Sequence, residues 1–486
     1  SDGKSAPFGE TNAQLFSLTL SGDFDAIKIS SNTGYNRIKY KSSYSQDNTS
    51  LGQSIVLERY FTREFSQEIR ATTDFQSPVN FVAGAYYQDV LTEYRSSFVL
   101  NYGLYDPVSD LYNPYVRLSE QVGKTYSVFG QAIANITDKL ELTAGGRFTR
   151  ETKSYRTGNE FGRNAFATPT TVFPGSNEPG ILKDDFKGNN FSPEVTLSWH
   201  PTPDSTLYGS YKTGYKSGGF LLGGFLNRTS TIGDFDFGPE KVKGFEIGAK
   251  GYLADRKLRL SATAYAYNFS NLQVNVFDPS LFAYVVANAG QLRQRGVDVE
   301  ANFRANDNLS LHAGATYARN RFKNFVGQCY GYGFPAGSTR ATATPPPGCS
   351  FVNSTSLILQ QDFNGRAPAR SPDFTANAGI VAEHALDAVK LGATGDLFYT
   401  DGYYASDTQS PFSWQPNFIR VNASLSISDR DDRWKVALTG KNLTNEYYLV
   451  LGAEQTGGAS NPGQFGQQRG FVSRGREVIL QTSFKF

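Results

Sequence analysis

The sequence predicts an all-β chain folded as a transmembrane antiparallel β-barrel. Three observations carry this. Strand-like segments alternate apolar and polar residues. Tight turns and long loops connect them alternately, and aromatic residues make up 14% of the chain. Tight turns fall near 21–25, 76–79, 137–139, 201–204, 254–257, 305–308, 385–388 and 428–432. Long irregular loops, such as 156–189, 217–239 and 324–371, lie between them. Short connections on one side and long ones on the other mark a membrane barrel, with short periplasmic turns and longer extracellular loops.

In 139–150, Leu140, Leu142, Ala144, Gly146 and Phe148 share one face, and Lys139, Glu141, Thr143, Arg147 and Thr149 share the other. In 297–304, Val297, Val299, Ala301 and Phe303 oppose Asp298, Glu300, Asn302 and Arg304. Leu309, Leu311, Ala313 and Ala315 oppose Ser310, His312, Gly314 and Thr316, and in 420–427 Val421, Ala423, Leu425 and Ile427 oppose Arg420, Asn422, Ser424 and Ser426. Side chains alternate faces along a strand, so each segment has one apolar and one polar side. A β-sandwich alternates too, but ordinary strands run about 5–6 residues and many of these segments are far longer. Their length exceeds even the roughly 9–11 residues a tilted strand needs to cross a bilayer, so the strands are expected to project beyond it.

Composition bounds the rest. The chain has 486 residues and a net charge of +2, with no basic block, so charge points to no nucleic-acid partner. Mean hydropathy is −0.41, and no run of about 18 apolar residues exists to make a transmembrane helix. A barrel strand shows only one face to lipid, so a polar average does not exclude it. Tyr (28) and Phe (37) supply aromatic girdles for two membrane interfaces. The connections give about seventeen strands, whereas bacterial single-chain barrels use an even number. The first strand runs into a short turn and therefore descends toward the periplasm. Ser1 is then expected on the extracellular side, and an odd number of strands is expected before it.

Several segments resemble the barrel of TonB-dependent outer-membrane receptors. They are FSQEIRATTDF (65–75), FVAGAYY (81–87), PEVTLSWHPTPDSTLYGSYKTGYKSGGF (193–220), GPEKVKGFEIGAKGYLADRKLRLSATAYAYNFSNLQV (238–274), VANAGQLRQRGVDVEANF (286–303), WKVALTGKNLTNEYY (434–448) and GREVILQTSFKF (475–486). The resemblance implies that residues 1–486 form this barrel domain, in the outer membrane of a Gram-negative bacterium. It implies a complete barrel of about 22 strands with a plugged lumen, so that about five strands, the plug and a TonB box precede Ser1. It also implies solute uptake powered by TonB of the TonB-ExbB-ExbD complex. A ferric siderophore is the expected cargo; vitamin B12, an oligosaccharide or an aromatic compound are the alternatives, and a passive porin is the rival outside the family. Leu480, Phe484 and the terminal Phe486 resemble the signal read by the barrel-assembly machinery. Outer-membrane lipid and lipopolysaccharide are the expected surroundings.

No catalytic set emerges, so no enzyme is expected. His200, His312 and His384 sit on different strands or strand ends, and no metal site or cofactor is expected. Asp298 and Glu300 are read as lumen polarity rather than paired acids. Gly218–Gly219 and Gly223–Gly224 fit no phosphate loop with GK[ST] and are expected to give their loop flexibility. The only cysteines, Cys329 and Cys349, share the longest loop with Pro345–Pro347. An oxidising setting favours a disulfide between them, and closing a loop of about 20 residues contributes about 3 kcal/mol. Ligand contacts are expected from Tyr330, Tyr332, Arg340, Tyr403, Tyr404 and Trp414. Such aromatic and Arg side chains hold bulky anionic or aromatic ligands by stacking and charge; the alternative for Tyr403, Tyr404 and Trp414 is an outer aromatic girdle.

Overall fold

The structure is a computed structural model. It describes residues 7–45, 54–100, 115–162, 166–278, 283–330, 334, 337–454 and 467–485. Seventeen strands form one antiparallel sheet. They are β1 (Phe8–Phe24), β2 (Ile27–Ser45), β3 (Ser54–Thr73), β4 (Val79–Leu100), β5 (Tyr115–Thr137), β6 (Leu140–Gly162), β7 (Ile181–Trp199), β8 (Ser205–Lys216) and β9 (Glu240–Leu253). They continue as β10 (Leu258–Asp278), β11 (Ala283–Asn306), β12 (Leu309–Lys323), β13 (Phe374–Ala385), β14 (Val389–Thr400), β15 (Phe418–Asp429), β16 (Trp434–Lys441) and β17 (Glu477–Phe484). Each pairs with its sequence neighbours in this list. Among the described residues β1 pairs only with β2, and β17 only with β16. No described helix is long and apolar enough to cross a membrane; among the described residues the helical elements are two 3-10 turns, Ile232–Asp234 and Pro411–Ser413.

All eight expected tight turns are present, each on the same side of the sheet because every pairing is antiparallel. Asp25 makes the first with φ 50°, a left-handed conformation that Asp tolerates better than most residues. The long side departs from expectation at 156–189. β6 runs on to Gly162 and β7 starts at Ile181, because residues 158–162 and 181–189 continue the ladder. β5 and β6 reach 23 residues each, about 75 Å of strand, well past an apolar band of about 25 Å.

Register sorts the side chains into two faces. Phe148 lies opposite Val128 on one side and Phe191 on the other, and all three are exposed. Leu425, Leu438 and Leu480 form a second such row, exposed by 65%, 50% and 68%. So much contiguous exposed apolar surface marks a protein or membrane contact, and a belt running round the wall is the lipid face of a barrel. Trp199, Phe303 and Phe484 end this belt near the tight turns. The opposite face is polar. There Glu246 accepts hydrogen bonds from Tyr208 (2.6 Å) and Tyr267 (3.0 Å), with Lys212 at 3.7 Å. Arg147 lies over the rings of Tyr86 and Phe129 at 5.3 and 5.5 Å. Pairing a charge with an aromatic face or a tyrosine hydroxyl keeps a polar lumen ordered without apolar packing.

Candidate functional site

The loop side folds into two clusters. The first covers the inner face of β5 and β6. Tyr155, Phe173, Leu182, Phe220, Leu226 and Phe235 make its apolar core. Arg117, which is 0% exposed, holds it down. Its Nε donates to Thr157 Oγ1 (2.9 Å) and Ser119 Oγ (3.1 Å), and its Nη2 to Tyr155 Oη (3.0 Å). Its Nη1 donates to the Gly223 carbonyl at 2.7 Å and to that of Gly224, and its guanidinium lies 4.7 Å from the Phe235 ring centre. This corrects the expectation that these glycines confer flexibility. Gly224 sits at φ +96°, a conformation reserved for glycine, and its carbonyl reaches the buried cation.

The second cluster joins the loops 324–373 and 401–417. A three-stranded sheet of Val326–Gln328, Cys349–Phe351 and Leu359–Asp362 organises the first loop. A disulfide links Cys329 to Cys349, with Cα atoms 5.7 Å apart. Cys329, Tyr330 and Leu359 are buried together there, and Tyr330 Oη donates to the Pro347 carbonyl (3.2 Å). In the second loop Tyr403–Tyr404 pairs with Trp414–Gln415, bringing the Tyr404 and Trp414 rings edge-to-face at 4.9 Å. Ser410 caps the intervening 3-10 turn by accepting a hydrogen bond from Phe412 N. Tyr403 Oη donates to the Leu449 carbonyl (2.6 Å), and burial pushes its phenol above the usual range.

Between these loops lies a cavity of about 630 Å³. Tyr330, Tyr403, Tyr404 and Trp414, four of the six expected contacts, line it together. Arg340 does not. Its guanidinium lies 3.3 Å from the Phe351 ring centre and it donates to the Asn353 carbonyl, so it is spent inside its own loop. Tyr332 and Phe486 lie outside the described residues; Leu480 and Phe484 are exposed on the edge strand β17. The cavity adds two cations that residue type alone did not single out. Arg321 is held by both oxygens of Asp373. Arg366 lies 5.9 Å from the Phe363 ring centre and makes no salt bridge with a described residue. A second cavity of about 710 Å³ lies across the mouth, reaching from Tyr44 on β2 to Asn275 on β10. Arg370 stands on its wall, donating to Asp407 (2.6 Å) and to the Ala405 carbonyl (2.8 Å). Aromatic walls with one unpaired guanidinium suit a planar or anionic ligand bound by stacking and charge.

The histidines stay apart. His312 Nε2 is 3.1 Å from Asp396 on the lumen face, and His200 Nδ1 is 3.2 Å from Thr206 beside a turn. Among the described residues, no group of three or more His, Cys, Asp or Glu side chains is placed to hold a metal ion.

The profile of the family described as TonB dependent receptor-like, beta-barrel matches residues 2–443. The chain belongs to this family. This TonB-dependent receptor barrel is 29% identical over 294 residues to a probable TonB-dependent siderophore receptor, PiuA, of Acinetobacter baumannii, covering 60% of the chain and 33% of that protein. It is 22% identical over 394 residues to the catecholate siderophore receptor Fiu of Escherichia coli K12, covering 75% of the chain and 47% of that protein. The receptor barrel thus spans a third to a half of the length of these relatives. The crystal structure of the ferric yersiniabactin uptake receptor FyuA from Yersinia pestis matches 100% of the chain and 63% of its own length, at TM-score 0.73 and 18% identity. That of PiuA matches at TM-score 0.69 and 17% identity, covering 99% of the chain and 65% of PiuA. At such identities these structures establish the fold.

Proposed function

We propose that this chain forms most of the wall and the extracellular ligand site of an outer-membrane receptor that binds a ferric siderophore and imports it with energy from TonB. The observation that carries this is the cavity between the loops 324–373 and 401–417. It collects Tyr330, Tyr403, Tyr404, Trp414 and the unpaired Arg366 above a polar lumen. A chelated iron arrives with its coordination sphere filled, so the protein's task is to grip the organic shell. Siderophore-receptor relatives support the same cargo class. TonB, acting through a plug, would open the path through the lumen that this wall helps to enclose. The barrel-assembly machinery would engage β17 through Leu480 and Phe484.

A strain lacking the gene, grown under iron starvation on single ferric siderophores, tests this. Growth on at least one of them is expected to fail and to return with the wild-type gene. Unimpaired growth on every ferric siderophore, with lost growth on a sugar or an aromatic compound, would overturn the iron assignment.

A further inference from the structure

Near the loop end of β3, Glu58 stands among tyrosines. Its Oε1 accepts from Tyr94 Oη (2.7 Å) and from Tyr44 Oη (3.3 Å). The Tyr60 ring meets that of Tyr94 with centroids 4.5 Å apart. The register puts Ser42 on β2 and Ser96 on β4 directly opposite Glu58. Ser42 is 4% exposed, and its Oγ has no hydrogen-bond partner. Tyr44 is 40% exposed and lines the second cavity, so it joins this group to the mouth.

What the group lacks is a cation. Glu58 makes no salt bridge with a described residue. Arg117 lies further along the same row, beyond Ser96, but it is 0% exposed and gives its donors to the first cover. The connections joining β2 to β3 and β4 to β5, residues 46–53 and 101–114, contain no Lys, Arg or His in their sequence. Elsewhere the wall builds the same group complete. Glu246 also accepts from two tyrosine hydroxyls, and there Lys212 stands 3.7 Å away to balance the charge. Other carboxylates outside salt bridges are dressed differently: Glu151 accepts from the one tyrosine Tyr215, and Glu454 from Ser406 and Thr408.

We infer that Glu58, Tyr44, Tyr60 and Tyr94, with Ser42, form a subsite for a primary ammonium group of the ligand, which takes the part that Lys212 plays beside Glu246. An ammonium is held by the carboxylate through charge-assisted hydrogen bonds and by phenol faces through their quadrupole. The unpartnered Ser42 Oγ offers a further oxygen to its N–H groups. A bare divalent metal ion fits less well, because it needs about six oxygen ligands. That the ammonium belongs to the imported cargo rests on the uptake reading above; the affinity for an ammonium does not.

Saturation-transfer NMR on the full-length protein in detergent micelles tests this, with butylammonium as the probe and butanol as its neutral counterpart. Wild type is expected to bind butylammonium about tenfold more tightly than butanol. Glu58→Gln keeps an oxygen for both phenols but removes the charge, and is expected to lose about tenfold in butylammonium affinity. Glu93→Gln, beside Tyr94 on the opposite face of β4, should bind as wild type does. Equal affinity for the two probes overturns the proposal. So does equal butylammonium affinity of wild type and Glu58→Gln, or a matching loss in Glu93→Gln. A second arm titrates ferric siderophores that carry a free primary amine, and their N-acetylated forms. Glu58→Gln should weaken the amines about tenfold and leave the acetylated forms unchanged; equal weakening of both overturns the assignment to cargo. Failure of the wild type to import any ferric siderophore sinks the uptake reading alone, because the butylammonium result does not depend on it.

Discussion

The two loop clusters are built from the same residue types and do opposite things. Over β5 and β6, Tyr155, Phe220, Phe235 and Arg117 close on one another until Arg117 is fully buried. Between the loops 324–373 and 401–417, Tyr330, Tyr403, Tyr404, Trp414 and Arg366 leave a cavity of about 630 Å³. What separates them is partner count. Arg117 spends its donors on five oxygens of its own chain, including carbonyls more than a hundred residues away, whereas Arg366 makes no salt bridge with a described residue. An Arg with aromatic neighbours is a fastener when its donors are satisfied and a ligand group when they are not.

The largest effect that would test this contrast comes from Arg117→Leu. It leaves the Gly223 and Gly224 carbonyls short of a donor, whereas the Tyr155, Ser119 and Thr157 hydroxyls keep other partners. At about 1–3 kcal/mol for each of the two buried carbonyls, the cover should lose about 4 kcal/mol of local stability. Hydrogen exchange should show 217–239 opening while the wall ladders stay protected, and ferric siderophore affinity should stay within about twofold. A tenfold loss of affinity would break the contrast, because the cover would then belong to the site.

Cys329→Ser with Cys349→Ser acts on the other cluster. Releasing this loop should cost about 3 kcal/mol locally, read as faster exchange over 326–362 with 217–239 unchanged. Trp414→Ala removes one wall of the cavity without touching a fastener. It is expected to weaken ligand binding about tenfold, from the roughly 1–2 kcal/mol of stacking and cation–π contact, and titration of the purified receptor checks it. Arg366→Gln should do the same for an anionic ligand and nothing for a neutral one.

The smallest effect is a pH dependence at the rim of the first cluster. The Lys183 ammonium donates to Glu178 at 2.7 Å and holds its carboxyl below the usual range of about 4.5. A lowered carboxylate pKa gives stability that is complete above the unfolded value and lost as pH falls through the folded one. Exchange over 171–181 should therefore quicken only below about pH 4.5, and Glu178→Gln should abolish that dependence.

The wall was legible in the sequence because it obeys local rules. Alternation at 139–150 or 420–427 needs no distant partner, and Asp25 or Asp432 marks a turn by its own backbone preference. The loops obey no such rule. Arg117 and Ser119 alternate with Val116 and Leu118 like any lumen pair, and nothing nearby in sequence tells that Gly223 will arrive above them. Arg340 was expected at the ligand and Arg366 was not; only the fold shows that Arg340 is taken up by Phe351 while Arg366 lines the cavity. The ladder from Arg156 to Gly162 was missed for a related reason: polar residues there face a folded loop instead of lipid, so the alternation fades although the pairing continues.

β5 and β6 run 23 residues each, well past the band that faces lipid. The cover fastened by Arg117 rides on that extended part of the ladder. The reach of the wall, and not the length of its loops, therefore sets how far from the bilayer that surface stands.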